Sequence, residues 1–152
     1  MSNQWIEINN QKDIEHLMNI THSFHDSCLK EFKYLSGMYV NKDGSMAAIN
    51  NKRQIHLIIQ SQSEPSVIEM IFEKISCMSL KPTDETYDGI IMNSHIAIEN
   101  DYFVWFDNSD FKENYQELYN SSLVTYIKAK KIKWRINNKH IGKNDVFIEA
   151  NV

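Results

Sequence analysis

The residues best suited to chemistry lie in one short segment between His22 and Cys28. His22 and His25 are three residues apart, so on a helical turn their imidazoles would lie close enough to share a metal ion. Asp26 would orient one imidazole through a hydrogen bond or supply a third ligand. The segment therefore defines two candidate sites: a metal site built on His22 and His25, and a catalytic acid/base site that uses His22, His25 and Asp26.

A structural interpretation of the same segment is favoured. Helix ends rich in His, Asp and Ser are typical of capping and turn chemistry. The sequence identifies no further ligand, since His56, His95, Asp101 and Asp107 qualify by residue type alone. No phosphate-binding glycine loop or G-x-S-x-G motif is present, so we expect no cofactor.

The cysteines give no catalytic or metal motif. Cys28 and Cys77 are the only two, and their separation fits neither a metal motif nor a disulfide framework. We expect both to be small, buried hydrophobic residues.

A second candidate region is the aromatic run that ends in Trp105, Phe106 and Asp107. The preceding Asn100-Asp101 dipeptide tolerates positive φ, which predicts a tight hairpin between two strands. Trp105, Asp107 and Asp101 across the turn would form one wall of a groove. An exposed Trp105 would anchor a protein partner, whereas aromatic residues in strands more often belong to the core. Asp101, Trp105 and Asp107 are the candidate partner-binding residues.

Residues 128–143 contain seven basic residues and no acid. Basic residues interleaved with Trp134 would suit single-stranded nucleic acid. Strand alternation, however, places Lys131, Lys133 and Arg135 on one outer face, where charges keep an edge strand from pairing. Because the net charge is −4, a solvated edge strand is favoured and nucleic-acid binding is not expected. Pairing of that edge across a two-fold axis would give a homo-oligomer.

Two periodicities predict the elements that position these residues. Asn10 as N-cap and Asp13 in the first turn predict an amphipathic helix over residues 11–24, with a possible extension to Cys28. From Lys33 onward the period becomes two, which predicts strands. These strands are expected at residues 34–40, 45–49, 55–60, 68–73, 78–80, 90–99, 102–107 and 123–136. The last strand changes phase near residues 130–131, where we predict a β-bulge.

The pattern predicts an α+β fold. It is mainly an antiparallel β meander, closed into a sandwich or a strongly curved sheet, with one N-terminal helix. The 152 residues show no linker, so we expect a single domain over residues 1–152. No apolar run reaches the roughly 18 residues that span a bilayer, and the N-terminus lacks a signal-peptide pattern. No membrane association and a cytoplasmic location are therefore expected.

Three short motifs together carry a resemblance to a group of proteins: Phe24-His25-Asp26-Ser27, Trp105-Phe106-Asp107 and Trp134-Arg135. They resemble small uncharacterised bacterial proteins that combine an early F-H-D-S, a strand-rich middle and a late W-R. Some similar small domains are suspected immunity proteins of bacterial toxin systems. The resemblance implies recognition of a protein partner, and it transfers no catalytic residue.

The leading hypothesis is a non-enzymatic, immunity-like protein that recognises a protein partner through an acidic and aromatic surface. The first alternative is a small metal-dependent or acid/base enzyme that uses His22, His25 and Asp26. The second is a self-associating structural module that pairs through the strand near residues 128–136.

Overall fold

A computed structural model describes residues 3–121 and 123–147 of the chain. It has two α-helices, α1 (Gln11–Ile20) and α2 (Tyr115–Asn120), in the described residues. The strands in those residues are β1 (Ile6–Ile8), β2 (Ser27–Leu35), β3 (Tyr39–Val40), β4 (Met46–Ala47), β5 (Gln54–Ser61), β6 (Val67–Ser79), β7 (Ile90–Ile91), β8 (His95–Glu99), β9 (Tyr102–Phe106) and β10 (Tyr126–Ile136). No helix in the described ranges is long and apolar enough to cross a membrane.

One antiparallel sheet curls into a half-barrel, which confirms the predicted α+β class with a strongly curved sheet. Its strand order is β7-β2-β5-β6-β10-β9-β8, and β1 pairs with β10 outside this path. The edge strands β7 and β8 are separated by only three residues, 92–94. Because the chain passes directly from one edge to the other, the sheet must curl until its edges approach each other.

The helix α1 packs against the inner face of the sheet. Asn10 is its N-cap, as predicted, and its side chain accepts hydrogen bonds from the N–H groups of Lys12 and Asp13 at 2.9 and 3.1 Å. Ile14 and Leu17 are buried in the main core with apolar residues of β5, β6, β9 and β10. Burial of one helical stripe against the sheet is the main force that fixes α1 in place.

The prediction of a helix over residues 11–24 was too long. The α-helix ends at Ile20, and His22, Ser23 and Phe24 form a left-handed turn with φ of 52°, 55° and 56°. Phe24 had fitted the helical pattern because this turn returns its side chain to the core, where it is 1% exposed. The reversal lets β2 start at Ser27, well before the strand predicted at residue 34.

The strand β10 is not an edge strand, so the predicted solvated edge was wrong. It pairs with β6 along its length, with β9 over residues 126–129 and with β1 over residues 132–134. Two of its outer basic residues are instead paired with acids of β6, since Lys133 Nζ lies 3.3 Å from Glu73 Oε1 and Arg135 contacts Glu69, whereas Lys131 is exposed. The homo-oligomer that was expected to form by pairing of this strand across a two-fold axis therefore lacks the free edge that it requires.

The β-bulge predicted near residues 130–131 of β10 lies slightly earlier along that strand, and the extra residue belongs to the neighbouring strand β6. The register with β6 shifts between Lys128 and Ala129, which leaves Ser76 of β6 without an opposite residue. Lys130 and Lys131 are both exposed, and the inner-face phase resumes at Ile132. The bulge strengthens the local twist that the curled sheet needs.

Candidate functional site

The segment from His22 to Asp26 lies between α1 and β2. His22 and His25 are exposed, and His25 Nδ1 lies 3.1 Å from Asp26 Oδ2. Because these residues do not share an α-helical turn, the spacing argument for a shared metal ion fails. Within residues 3–121 and 123–147, no three His, Cys, Asp or Glu side chains converge as a metal site would require. The structure brings together only His25 and Asp26.

The predicted hairpin at Asn100-Asp101 is confirmed. Asn100 has a φ of 55°, and Glu99 of β8 lies opposite Tyr102 of β9. Trp105 is fully buried and its ring centroid lies 6.3 Å from that of Phe72. Strand alternation places Trp105 on the inner face, so its side chain cannot contact a partner. The prediction that Trp105 anchors a partner, which required an exposed side chain, is therefore wrong.

The other two partner-binding candidates do not share a groove. Asp101 is exposed at the hairpin turn, before β9, whereas Asp107 follows the opposite end of that strand. The groove wall predicted from Asp101, Trp105 and Asp107 is therefore not formed. Asp107 instead lines a different cavity.

We call this cavity of about 330 Å³ the acidic groove. It lies where the two edges of the sheet approach each other. Three carboxylic acids line it, namely Asp88, Asp107 and Asp110, and its rim carries the exposed side chains of Met92 and Leu123. The lining residues are Thr83, Asp88, Gly89, Ile90, Ile91, Met92, Asn93, Asp107, Asn108, Ser109, Asp110 and Leu123.

Local hydrogen bonds hold the walls of the acidic groove. The Asn108 side chain accepts a hydrogen bond from the N–H of Asp110 at 3.0 Å, and the N–H of Ser109 donates to Asn93 O at 3.0 Å. The carboxylate of Asp88 accepts from the N–H of Ile90 at 3.3 Å. The Asp and Asn side chains accept hydrogen bonds from backbone N–H groups two residues later, which stabilises tight turns. Such turns let a segment with few glycines line a cavity.

Asp107 is half-buried and lacks a compensating cation. Its Oδ1 accepts a hydrogen bond from the N–H of Thr125 at 3.2 Å, and its own N–H donates to Thr125 O at 3.1 Å. Burial outweighs these hydrogen bonds and raises the pKa of Asp107 to about 6. In the described chain, no Lys, Arg or His nitrogen lies within 4.0 Å of its carboxylate. A partly desolvated carboxylate in this position gains from any cation that enters the groove.

A second cavity of about 390 Å³ shares Asp107 with the acidic groove. Cys28, Lys30 and Lys81 are among its lining residues. Cys28 is exposed rather than buried as predicted, because β2 begins before it and turns its side chain outward. The ammonium group of Lys30 donates to the backbone carbonyls of Gly142 and Asn144, which directs it to another part of the surface.

Sequence reasoning missed a buried carboxylate on the outer face of the sheet. Glu69 of β6 is 1% exposed. Arg135 Nε donates to its Oε2 at 2.9 Å, Arg135 Nη2 lies 2.8 Å from the same oxygen, and Asn137 Nδ2 donates to its Oε1 at 2.6 Å. His56 and His140 lie 3.5 and 3.4 Å from the same carboxylate. We call these five residues the Glu69 cluster.

The Glu69 carboxylate is well compensated. Burial alone would raise its pKa, but the nearby His56 together with the hydrogen bonds from Asn137 and Arg135 outweighs burial and lowers the pKa to about 2. The guanidinium of Arg135 also stacks over Trp5, with 4.4 Å between Cζ and the ring centroid. A strictly alternating strand suggested that Glu69 faces solvent. The sequence carried no signal that Glu69 is buried.

The hairpin of β3 and β4 lies within the strands predicted at residues 34–40 and 45–49, and it forms a small sheet separate from the main one. Its large apolar residues Tyr39, Met46 and Ile49 are 62%, 71% and 77% exposed. Exposed apolar residues are a feature of interaction surfaces where they form one contiguous patch.

No protein-family model, curated protein or solved structure matches this chain. Glu69 is buried and its carboxylate is satisfied by the chain itself, whereas half-buried Asp107 lines a cavity and has no cation within 4.0 Å among the described residues. The acidic groove is the better candidate functional site.

Proposed function

We propose that this protein recognises a protein partner by binding a basic side chain of that partner in the acidic groove. The observation that carries this proposal is the half-buried Asp107 carboxylate, which lines a cavity and has no cation within 4.0 Å in the described residues. A desolvated charge without a counter-ion is costly, and a bound Lys or Arg would remove that cost.

The shape and chemistry of the groove support a long basic side chain. Lys and Arg combine an apolar stem with a charged end group. The stem would pack on the exposed rim residues Met92 and Leu123, while the charge would lie among Asp88, Asp107 and Asp110. A cavity of about 330 Å³ lies at the small end of the range for ligand pockets, which suits one inserted side chain.

In the cell, the protein would act as an immunity-like protein that neutralises its partner by covering a basic surface of that partner. The net charge of −4 supports it, because an acidic protein is steered toward basic partners. The exposed loop before the groove adds Asp84 and Glu85 together with Tyr87, which is 77% exposed. This loop and the groove together form an acidic and aromatic surface.

The test measures how the wild-type protein and two variants bind the protein products of neighbouring genes. We expect one such product to form a stoichiometric complex with the wild-type protein, with a dissociation constant that rises with salt concentration. The double variant D107N/D110N should weaken that complex at least tenfold. D101N removes an equally negative but exposed carboxylate at the other end of β9, and it should leave binding unchanged.

Two results would overturn the proposal. One is that no neighbouring gene product forms a stoichiometric complex. The other is that D107N/D110N and D101N bind the partner protein with equal affinity. Circular dichroism of both variants separates a loss of binding from a loss of folding.

A further inference from the structure

A small cavity lies beside the left-handed turn that joins α1 to β2. Its volume is about 10 Å³, which is about the space that one water molecule requires. Apolar side chains such as Phe24 and Ile59 form part of its wall, and the hydroxyl-bearing residues Thr21, Ser27 and Ser61 also line it. The end of α1, the start of β2 and the end of β5 therefore meet at this cavity.

Ser27 carries a buried hydroxyl group that the chain itself does not satisfy. The residue is 3% exposed, and among the residues that the structure describes its Oγ has no hydrogen-bond partner. A buried hydroxyl group without a partner loses the hydration that it has in the unfolded chain, which destabilises the folded state. Buried polar groups are therefore mostly bonded, either to the protein or to internal water. Because Ser27 lines the cavity, a molecule bound there can supply the hydrogen bond.

The two neighbouring hydroxyl groups offer a donor and an acceptor. Ser61 lies directly opposite Ser27 in the β2–β5 pair, so the two side chains share one face of the sheet. Ser61 Oγ accepts a hydrogen bond from the N–H of Ser63 at 3.1 Å, so its hydroxyl hydrogen is available to donate. Thr21 Oγ1 donates to Leu17 O at 2.9 Å, so its lone pairs are available to accept. One water molecule, with two donors and two acceptors, can thus bond to Ser27, Ser61 and Thr21 together.

The charge of the cavity favours a neutral ligand over a cation. Glu64 is the acid among its lining residues, and it is exposed. Its Oε2 accepts hydrogen bonds from the N–H of Ser66 at 3.2 Å and from Asn138 Nδ2 at 2.9 Å, so the carboxylate is already engaged outside the cavity. A metal cation would lose its hydration there without a carboxylate to compensate, whereas an ordered water costs little.

We propose that this cavity binds one internal water molecule, which bridges Ser27, Ser61 and Thr21. The bridge ties the end of α1 to β2 and β5 at a turn in which three successive residues, 22–24, have positive φ. That backbone conformation is unfavourable for residues other than glycine, so a further tie across the turn stabilises the folded state. The proposal assigns a structural role to the last residue of the Phe24-His25-Asp26-Ser27 motif. It does not rest on the proposed function of the acidic groove.

Two measurements on the full-length protein test this water site. A high-resolution crystal structure of the wild type should show one density peak in the cavity, within about 2.6–3.2 Å of Ser27 Oγ, Ser61 Oγ and Thr21 Oγ1. In thermal unfolding, S27A removes one partner of the water and should lower the Tm by about 3 °C or more. S63A is the matched control, because it removes an exposed hydroxyl group that lines the same cavity and keeps the N–H that donates to Ser61. Its Tm should stay within about 1 °C of the wild type.

The sign of the S27A effect distinguishes a bridged hydroxyl group from an unpaired one. Without the water, S27A would remove an unsatisfied buried hydroxyl and raise the Tm, so an unchanged or higher Tm would overturn the proposal. A wild-type crystal structure without the density peak would overturn it too, and that measurement needs no variant if S27A does not fold. A Tm that rises with sodium chloride but not with choline chloride, in the wild type and not in S27A, would assign the cavity to a sodium ion and overturn the proposal as well.

Discussion

The Glu69 cluster and the acidic groove show two ways in which this fold treats a carboxylate removed from water. Glu69 receives two hydrogen bonds, one each from Arg135 and Asn137, and an ion pair with the Arg135 guanidinium, and its pKa falls to about 2. Asp107 receives one from a neighbouring backbone N–H, and its pKa rises to about 6. The number of donors supplied by the chain decides the sign of the shift. The chain itself satisfies the Glu69 carboxylate, whereas no cation of residues 3–121 and 123–147 lies within 4.0 Å of Asp107, and the proposed function is based on this difference.

The largest effect should follow from removing the main cation of the Glu69 cluster. We expect R135M to lower the free energy of unfolding by about 3 kcal/mol, because it leaves a buried carboxylate without its guanidinium. Urea denaturation measures this loss. K131M changes an exposed basic residue of the same strand, for which no ion pair is found in the described residues, and it should shift stability by less than about 0.5 kcal/mol. Equal losses in the two variants would show that Glu69 is not held by Arg135.

The second prediction concerns acid denaturation. Because the pKa of Glu69 is lowered from 4.5 to about 2 on folding, its ionised form stabilises the folded state above pH 4.5. That contribution should be lost progressively as the pH falls from about 4.5 to about 2, and it amounts to at most about 3 kcal/mol. The measurement is the difference in unfolding free energy between the wild type and E69Q across this range. A difference that stays constant with pH would contradict the assigned pKa.

The contrast also explains what the sequence could predict. Alternation along β5 and β6 identified the inner face, because Leu57 and Met70 lie opposite each other there and both are buried. The N-cap at Asn10 and the hairpin at Asn100 were predicted because both depend on short-range chemistry. Asp107 was identified as a candidate by its place after an aromatic strand, but its neighbours in the groove include, besides residues 108–110, members of residues 83–93 and Leu123, which are distant in sequence.

The outer face could not be predicted in the same way. Residues distant in sequence bury Glu69, since Arg135 and His140 contact it and Trp5 packs on Arg135. Alternation identifies which face a residue points to, but it does not reveal whether a remote segment later covers that face. The interior position of β10 was missed for the same reason, because its partner β1 lies more than 120 residues earlier.

The third prediction reverses the sign of the second. Since folding raises the pKa of Asp107 from 3.8 to about 6, its ionised form destabilises the folded state at high pH. We expect D107N to be more stable than the wild type by about 1–2 kcal/mol at pH 8, after allowance for partial exposure. The advantage should shrink as the pH falls from about 6 to about 3.8 and then disappear. Chemical denaturation at a series of pH values measures it, and D101N should show no such trend.

The smallest effects should come from the two histidines of the Glu69 cluster. Their Nε2 atoms lie 3.4 and 3.5 Å from the Glu69 oxygens, farther than the nitrogens of Arg135 and Asn137. H140Q should therefore lower the unfolding free energy by less than about 1 kcal/mol, as expected for one long, partly exposed contact. H56Q should cost somewhat more, because it also removes a ring that contacts Phe147. Thermal and urea unfolding compare these losses of unfolding free energy with that of R135M. If H140Q or H56Q lost as much as R135M, the histidines would stabilise the Glu69 carboxylate as strongly as the Arg135 guanidinium does, which would contradict this ranking.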